Sequence, residues 1–247
     1  MVTGSRAGWH VATVLEAQPE GRTGRRITLR IDGWPGNLAG QHVDLRLTAP
    51  DGYTATRSYS LASSGQGDRV VLAVDRVRDG EVSPFLVYEL MVGDKLEVQG
   101  PLGGYFVWRP PTDGAAGRPV QLIAGGSGSV PLIGIAAAHA AAGDATQMRM
   151  LYSVRSPERL FFPDDLASFE QGDAPFHLDL VYTRSAPDGE PVGRITRDWL
   201  AQVVLPADSD PLVYVCGSTG FVETVAGWLI ELGHDARSIR TERFGGS

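Results

Sequence analysis

The sequence has a single cysteine, Cys216, among its 247 residues. One thiol cannot form an intramolecular disulfide, and it cannot supply the four thiolates of an iron–sulfur cluster or of a cysteine-rich zinc site. The five histidines show no spacing typical of metal ligands, so no metal site is predicted. A chain with so little cysteine fits a reducing compartment, which favours a cytoplasmic location.

Long apolar stretches are missing as well. No segment approaches the roughly 20 apolar residues that a membrane-spanning helix requires, and the N-terminal residues MVTGSRAGWH contain no apolar signal core. Hydrophobic residues nevertheless make up 43% of the chain, which is enough for a sizeable core. We therefore expect a soluble cytoplasmic protein that does not contact a membrane.

Lysine is nearly absent, because Lys95 is the only one, and arginine carries almost all of the positive charge. The formal net charge of -7 argues against a nucleic-acid partner, since a phosphate backbone favours a concentrated basic surface. Guanidinium groups suit bidentate contacts with phosphate groups. The arginine content is therefore compatible with a phosphorylated ligand, although codon bias explains it equally well.

Up to about Trp108, short strand-like segments alternate with turns that contain glycine or proline. Closely spaced strands of this kind favour an antiparallel barrel or sandwich. One helix is predicted over residues 83–93, with Ser83 as its N-cap, Pro84 at its first position and Gly93 at its end. The predicted strands cover residues 10–17, 25–32, 41–48, 56–63, 69–77 and 95–100.

From residue 109 the pattern changes. Residues 109–119, RPPTDGAAGRP, have the composition of a linker. Buried-looking strands then alternate with helices, which predicts a doubly wound parallel sheet. The strands are predicted over residues 120–124, 148–154, 178–183 and 211–217, and the helices over residues 130–143 and 221–233. These patterns divide the chain into one domain over residues 1–110 and a second over residues 111–247.

The segment RSYSLASS, residues 57–64, places an arginine two residues before a tyrosine. Side chains alternate between the two faces of a strand, so Arg57 and Tyr59 are predicted to share a face. A candidate anion site lies at the predicted helix start, where Gly80 permits close approach and Ser83 offers a hydroxyl. An ordinary cap on a short surface helix is the alternative.

A glycine-rich segment, IAGGSGSVPLIG (123–134), follows the first strand of the second half and leads into a helix. Gly126 and Gly128 form G-x-G, but Pro131 occupies the place of the third glycine in the dinucleotide-binding motif. The next strand ends in LYSVRS, without the acidic residue that binds an NAD ribose. Ser153 and Arg155 suit a 2′-phosphate, and therefore NADP, while a solvated surface arginine is the alternative.

Six motifs follow one another along the chain: RSYS (57–60), DGEVSPFL (79–86), GPLGGYF (100–106), AGGSGSVP (124–131), YVCGSTGF (214–221) and TERFG (241–245). In this order and spacing the sequence resembles the ferredoxin:NADP reductase superfamily of flavoproteins, and especially the two-domain reductases that serve bacterial oxygenases. The resemblance covers essentially the whole chain. It implies an N-terminal antiparallel Greek-key β-barrel that binds FAD and a C-terminal doubly wound α/β domain that binds NADPH.

The resemblance also implies roles for residues of the first half. Tyr59 would pack on the flavin ring, and Arg57 would meet the flavin pyrophosphate. Ser60 would lie near the ring edge where hydride arrives, and Ser58 belongs to the same cofactor-binding motif. The residues implied to hold the pyrophosphate from the second motif are Gly80, Val82 and Ser83.

In the second half the implied ligand is the nicotinamide dinucleotide. Cys216 would face the nicotinamide carbon that gives up hydride, and Glu242 and Phe244 would lie beside the flavin and the nicotinamide. Ser60, Cys216 and Glu242 are thereby the predicted catalytic residues, and none of them acts as a covalent nucleophile. The remaining residues implied to bind the nucleotide are Gly126, Ser127, Gly128, Gly217 and, around the 2′-phosphate, Arg155, Arg184 and Arg194.

The implied function is that of an FAD-dependent oxidoreductase, which accepts a hydride from NADPH and passes electrons to a separate acceptor such as a ferredoxin or an oxygenase component. One cysteine cannot hold a two-iron cluster, so we expect electrons to leave directly from the flavin. Three alternatives remain open. They are NADH in place of NADPH, FMN in place of FAD, and a nonenzymatic flavin-binding subunit for electron transfer or regulation.

Overall fold

The structure is a computed structural model that describes residues 8–112 and 116–244. It contains two β-sheets that follow one another along the chain, the first with six strands and the second with five. None of the helices in the described ranges combines the length and the hydropathy needed to cross a membrane.

The first sheet is antiparallel throughout, with the strand order β4-β3-β6-β1-β2-β5. Its strands are β1 (Trp9–Glu20), β2 (Gly24–Ile31), β3 (His42–Thr48), β4 (Thr54–Ser60), β5 (Arg69–Asp75) and β6 (Lys95–Leu102). An antiparallel bridge between Leu61 and Leu72 joins the two ends of this order, so the sheet curls into a barrel. The predicted Greek-key barrel is confirmed.

Alternating burial explains why these segments form half-buried strands. In β2, Ile27, Leu29 and Ile31 are fully buried, whereas Arg30 between them is exposed. A period of two puts every second side chain into the barrel interior. The same interior receives Leu86 and Leu90 from the segment between β5 and β6.

That segment contains α1 (Ser83–Tyr88), which is shorter than the predicted helix over residues 83–93. The N-cap is Val82 rather than Ser83, because the Ser83 hydroxyl accepts a hydrogen bond from the backbone N–H of Val77 at 3.0 Å. The helix stops early because the chain turns back onto β1, where the Gly93 N–H donates to the Val14 carbonyl. Both details of the helix prediction were therefore wrong, although the helix itself exists.

The second sheet is parallel, with the order β11-β10-β7-β8-β9. Its strands are β7 (Val120–Gly125), β8 (Met148–Val154), β9 (Phe176–Tyr182), β10 (Leu212–Ser218) and β11 (Ile239–Phe244). The helices are α2 (Ser129–Ala142), α3 (Pro163–Gln171), α4 (Arg197–Val203) and α5 (Thr219–Glu231). The predicted doubly wound sheet is confirmed. The direction in which successive strands are added to the sheet changes between β7 and β10, and a crevice opens at the carboxyl ends of these two strands.

The two halves are joined by a cluster of four residues, here called the latch: Glu20, Arg26, Phe162 and Asp165. Glu20 Oε1 accepts the backbone N–H of Phe162 at 2.7 Å, and its Oε2 accepts Arg26 Nε at 2.8 Å. Arg26 also donates to Asp165, and its guanidinium carbon lies 3.9 Å from the Phe162 ring centroid. The latch fixes the β1–β2 turn against the segment that begins α3.

Candidate functional site

A cleft of about 390 Å³, the first cleft, lies where the two halves meet. Strand β4 and the loop before α1 provide most of its walls, and the second half contributes three residues. The lining residues include Arg57, Ser58, Tyr59, Ser60, Gly80, Glu81, Val82, Ser83, Ser127, Val130 and Phe244. The structure thus brings together all seven residues predicted for FAD in the first half.

Strand β4 presents Arg57 and Tyr59 to the cleft, as the period of two predicts. Burial raises the pKa of Tyr59 to about 12, although the Arg57 charge acts in the opposite direction. The phenol is therefore neutral at pH 7 and forms a flat, half-buried surface. Ser58 also lines the cleft, and its hydroxyl donates to Asp44 at 2.6 Å.

Arg57 already has a carboxylate partner in the cleft. Its Nη2 contacts Glu81 Oε2 at 2.5 Å, and the Tyr53 hydroxyl donates to Glu81 Oε1 at 3.0 Å. The sequence interpretation did not assign a role to Glu81. A bound diphosphate that used Arg57 would have to replace this carboxylate, because both anions compete for the same guanidinium.

Ser60 provides a direct test of whether the first cleft fits a flavin. Its Oγ is buried and has no hydrogen-bond partner among the described residues. A buried hydroxyl without a partner is costly, so a bound group with a donor or acceptor at that point would be favoured. A flavin ring supplies both a flat face for Tyr59 and polar atoms at its edge, and the residues present fit it.

A second cleft, of about 650 Å³, follows the carboxyl ends of β7, β8 and β10. Its lining includes Gly125, Gly126, Ser127, Gly128, Ser153, Arg155, Gly217, Ser218 and Phe244, together with Arg76 and Arg78 from the first half. Gly128 cannot carry a side chain here, since an added Cβ would lie 2.5 Å from the Cys216 carbonyl oxygen. The loop before α2 therefore packs directly on the end of β10.

The three arginines predicted to contact a 2′-phosphate are exposed, and their side chains form no hydrogen bond, ion pair or ring contact with another described residue. Arg155 lines the second cleft, and Arg194 lines a third cleft of about 420 Å³. The second and third clefts share Ser153 and Thr183, so these two arginines lie in adjoining spaces. Arg184 lines none of the three clefts, and the structure does not bring it to the site.

Cys216 and Glu242 are neighbours in register on β10 and β11. Cys216 is fully buried, and burial, followed by the Glu242 charge, holds the pKa of its thiol well above the ordinary value. The thiol is therefore protonated, which agrees with a noncovalent role. Neither residue lines the first cleft, whereas Phe244, two residues beyond Glu242, lines both the first and the second.

Glu242 has a partner that the sequence interpretation missed. Its Oε1 lies 3.7 Å from His42 Nδ1 on β3, while its Oε2 is buried without a hydrogen-bond partner among the described residues. Burial raises the pKa of the Glu242 carboxyl to about 7. No group of three or more histidine, cysteine or acidic side chains in residues 8–112 and 116–244 could hold a metal ion.

Two family models match the chain. The oxidoreductase FAD-binding domain matches residues 27–107, and the oxidoreductase NAD-binding domain matches residues 122–227. The chain belongs to the ferredoxin:NADP reductase superfamily. The predicted FAD-binding and NAD-binding domains are thus present in the chain, whereas the boundary between residues 110 and 111 and the individual site residues stay predictions.

Several relatives of this superfamily member are similar in sequence. The chain is 36% identical to the reductase subunit of an Amycolatopsis aromatic O-demethylase over 162 residues, which cover 65% of this chain and 46% of that protein. It is 30% identical to the glycine betaine monooxygenase reductase subunit of Chromohalobacter salexigens over 211 residues, which cover 83% and 55%. The chain thus spans about half the length of these curated relatives.

A solved structure is also similar. The flavohem-like FAD/NAD-binding domain of nitric oxide dioxygenase from Vibrio cholerae superimposes with a TM-score of 0.84 and 26% identity, covering 96% of this chain and 99% of that one. The superfamily fold, with a barrel followed by a parallel sheet, therefore extends over nearly all of the chain.

Proposed function

We propose that this protein is an FAD-dependent reductase that takes a hydride from NADPH and passes electrons singly to a separate acceptor protein. One observation carries the proposal: the first and second clefts adjoin and share Asp75, Val77, Ser127 and Phe244. Ring systems bound in the two clefts would therefore meet at Phe244. Hydride transfer requires such near-contact between donor and acceptor.

We propose that each half of the chain binds one cofactor: residues 1–110 bind FAD, and residues 111–247 bind the nicotinamide nucleotide. Tyr59 would support the flavin ring, and Ser60 would supply its unpartnered hydroxyl to the ring edge. Arg57 would leave Glu81 and bind the diphosphate, together with the loop from Gly80 to Ser83. Bound FAD supplies the capacity to accept two electrons at once and to release them one at a time.

For the nucleotide, the loop Gly126–Gly128 and the adjacent Gly217 would receive the pyrophosphate at the crevice between β7 and β10. Arg155 and Arg194 would pair with the 2′-phosphate, because their guanidinium groups are free and lie in adjoining clefts. Arg184 is the weakest of the three proposed contacts, since it lines neither cleft. Phe244 would have to move aside for the nicotinamide ring to approach Cys216.

The proposed acceptor is an oxygenase component or a ferredoxin. The support comes from the relatives whose names describe them as reductase subunits of an O-demethylase and of a monooxygenase. A panel of ferredoxins, oxygenase components and haem globins as acceptors would identify the partner class.

The proposal is tested by reconstituting the protein with FAD and mixing it with NADPH or NADH without oxygen. We expect stoichiometric FAD, shown by mass spectrometry of the released cofactor, and rapid bleaching of the flavin absorbance. Protein that takes up no flavin, or a flavin that NADPH and NADH both fail to bleach, would contradict the function.

Nucleotide choice is tested with Arg155→Ala. Loss of one charge-assisted contact is expected to lower kcat/KM for NADPH by about tenfold to a hundredfold. NADH, which has no 2′-phosphate, serves as the internal control and should be used almost equally well by both proteins. An equal or greater kcat/KM for NADH in the unaltered protein would overturn the NADPH assignment.

A further inference from the structure

A fourth cavity, here called the rear cavity, shares no lining residue with the three clefts. It has a volume of about 390 Å³, and its lining includes Val107, Arg109, Arg118, Tyr214 and Arg240. Leu212, the first residue of β10, also lines it, whereas Ser218 at the other end of that strand lines the second cleft. At about 3.3 Å per residue, these two strand ends lie about 20 Å apart. The rear cavity is therefore separate from the proposed cofactor sites.

Both ends of the predicted linker contribute to the rear cavity. Arg109 and Pro111 line it from one end, and Gly117 and Arg118 line it from the other. The two ends lie close together, because a Cβ at Gly117 would be 2.9 Å from Cγ of Pro111 and 3.1 Å from Oγ1 of Thr146. The backbone N–H of Gly117 donates to that hydroxyl at 2.7 Å. These contacts bring two arginines of the linker to one cavity.

The third arginine, Arg240, is held where the two halves of the chain meet. Its Nη1 donates to the Val107 carbonyl at 2.6 Å and to the Tyr214 hydroxyl at 3.1 Å. The Tyr214 hydroxyl donates to the same carbonyl at 2.9 Å. These contacts fix the half-buried guanidinium of Arg240, and they leave its Nε and Nη2 without a hydrogen-bond partner among the described residues.

The rear cavity carries an excess of positive charge. Arg109 and Arg240 form no ion pair with another described residue, whereas Arg118 pairs with the exposed Asp210 at 2.7 Å. None of the residues that line the cavity is acidic. Burial raises the pKa of the Tyr214 hydroxyl, and the charges of Arg240 and Arg118 both oppose this shift, so the two guanidinium groups act on one point. Three guanidinium groups with one carboxylate partner favour an anion that carries two charges.

The size and the lining of the rear cavity indicate the kind of anion. The planar guanidinium group matches phosphate oxygens in a bidentate manner. The volume lies within the range of about 300–1,000 Å³ that is typical of small-molecule sites, so an organic group fits beside the phosphate. Trp108, Pro111 and Leu212 provide apolar surface for such a group. A phosphate monoester combines two negative charges with an organic group.

We propose that the rear cavity binds a phosphate monoester, whose phosphoryl group pairs with Arg109, Arg118 and Arg240. Arg240 contributes its unpartnered Nε and Nη2, and Arg118 contributes Nη1, which has no hydrogen-bond partner among the described residues. Because the lining includes Val107 from the first half and Arg240 from the second, the bound ester adds to the contacts between the halves. This binding requires no hydride transfer, so the proposal is independent of the proposed function.

The site is tested by isothermal titration calorimetry of the FAD-loaded protein with glycerol 3-phosphate at constant ionic strength. We expect Arg240→Gln and Arg109→Gln each to weaken binding by about tenfold or more, because each removes a charge-assisted contact. Arg109 is exposed, so its variant tests the site even if Arg240→Gln does not fold. Arg237→Gln is the matched control, since Arg237 is 91% exposed, pairs with Asp235 and does not line the cavity.

Arg237→Gln and Arg155→Ala should both bind glycerol 3-phosphate as the unaltered protein does. Absence of binding to the unaltered protein would overturn the proposal. Loss of binding in Arg155→Ala, with normal binding in Arg240→Gln and Arg109→Gln, would also overturn it, because the phosphate would then lie in the second cleft.

Three other probes define the class of ligand. Glycerol, which lacks the phosphate, should not bind, and succinate, whose two charges lie on separate carboxylates, should bind more weakly than glycerol 3-phosphate. A peptide of glutamates tests whether the cavity receives an acidic segment of a protein instead. If this peptide or succinate binds more tightly than glycerol 3-phosphate, the assignment to a phosphate monoester is wrong.

The location is tested by NMR of the tryptophan indole N–H signals. Trp108 lines the rear cavity, and Trp228 lines the third cleft. Glycerol 3-phosphate should shift the Trp108 signal and leave the Trp228 signal unchanged, and Arg109→Gln should reduce the shift at a given concentration. A shift of the Trp228 signal without a shift of the Trp108 signal would contradict the rear cavity as the binding site.

Discussion

The latch between the two halves makes a prediction about both stability and hydride transfer. Glu20 is 5% exposed, and its two oxygens accept hydrogen bonds from the Phe162 backbone and from Arg26. Glu20→Ala removes both acceptors. It leaves a buried N–H without a partner and deprives Arg26 of one of its two carboxylates.

The magnitude follows from this geometry. Removal of one member of a buried ion pair costs about 3–5 kcal/mol. The Arg26 side chain is 31% exposed and keeps Asp165, so the lower end, about 3 kcal/mol, is expected. Glu20→Gln retains an oxygen for the Phe162 N–H but presents an amide donor to Arg26, so it loses that hydrogen bond together with the charge and should cost about 2 kcal/mol.

The assay is urea unfolding followed by tryptophan fluorescence, together with anaerobic stopped-flow reduction of the bound flavin. Because the latch fixes one half against the other, its loss should also displace the two clefts. A displacement of about 1 Å can slow a positioned reaction by about 100-fold. We therefore expect Glu20→Ala to slow flavin reduction by NADPH, and Glu20→Gln to do so much less.

Glu158→Gln is the control, since Glu158 is exposed, lies 3.9 Å from Arg22 and otherwise makes only local hydrogen bonds with its own backbone and Ser156 among the described residues. Exposed pairs of this kind contribute at most about 1 kcal/mol and often nothing measurable. If Glu20→Ala unfolds at the same urea concentration as Glu158→Gln and reduces its flavin at the same rate, the latch does not hold the two halves together.

Four other substitutions test the site. Arg57→Ala should yield largely flavin-free protein, whereas Glu81→Gln, which frees Arg57, should keep or raise flavin occupancy. If the two variants have equal flavin occupancy, Arg57 does not bind the diphosphate. The Cys216→Ser variant should bind nucleotide normally, but its flavin should be reduced more slowly in stopped flow. An unchanged rate would show that the thiol serves only in packing. Burial raises the pKa of the Glu242 carboxyl from 4.5 to about 7. The folded protein therefore holds this proton more tightly than the unfolded chain does, and the stability that the protonated carboxyl contributes is fully present below pH 4.5 and lost as the pH rises through 7. Urea unfolding should therefore show Glu242→Gln gaining about 3 kcal/mol over the unaltered protein between pH 4.5 and pH 8, and a constant difference would contradict the burial.

Much of the fold could be predicted because local patterns coincide with burial. Strand β8 occupies the predicted residues 148–154, and β7, β9 and β10 differ from their predicted bounds by one or two residues at their ends, whereas β11 was not predicted. The side chains of the central strands β7, β8 and β10 are largely buried on both faces, which produces continuous apolar runs in the sequence. Near residue 109 the sequence pattern changes from short strands with a hydrophobic period of two to alternating strands and helices. This change indicated a change of architecture at that point.

Short elements were missed although two of them carried usable signals. Helix α3 begins with Pro163 and has Asp164 and Asp165 in its first turn, which are ordinary features of a helix start. Helix α4 is capped by Thr196, whose side chain accepts the N–H of Trp199. Both helices are less than three turns long, so their apolar periodicity is too brief to stand out.

The first cleft was predictable in part. The alternation that places Arg57 and Tyr59 on one face is local, and the structure shows both in the cleft. Glu81 could not be assigned from the sequence, because its contact with Arg57 joins residues 24 positions apart through the path of a loop. The contact of Arg184 with a 2′-phosphate stays a prediction, because its exposed side chain lines none of the three clefts and a position after a strand does not determine where a side chain lies.

His42 and Glu242 depend on a feature that no local pattern determines, namely the register of β11 against β10. In the structure Cys216 is opposite Glu242, with Arg243 one position further. A shift by one residue would place Arg243 or Thr241 beside the thiol and turn Glu242 to the other face of the sheet. The carboxylate would then lose both His42 and its position near Cys216, although every strand would keep its length and composition.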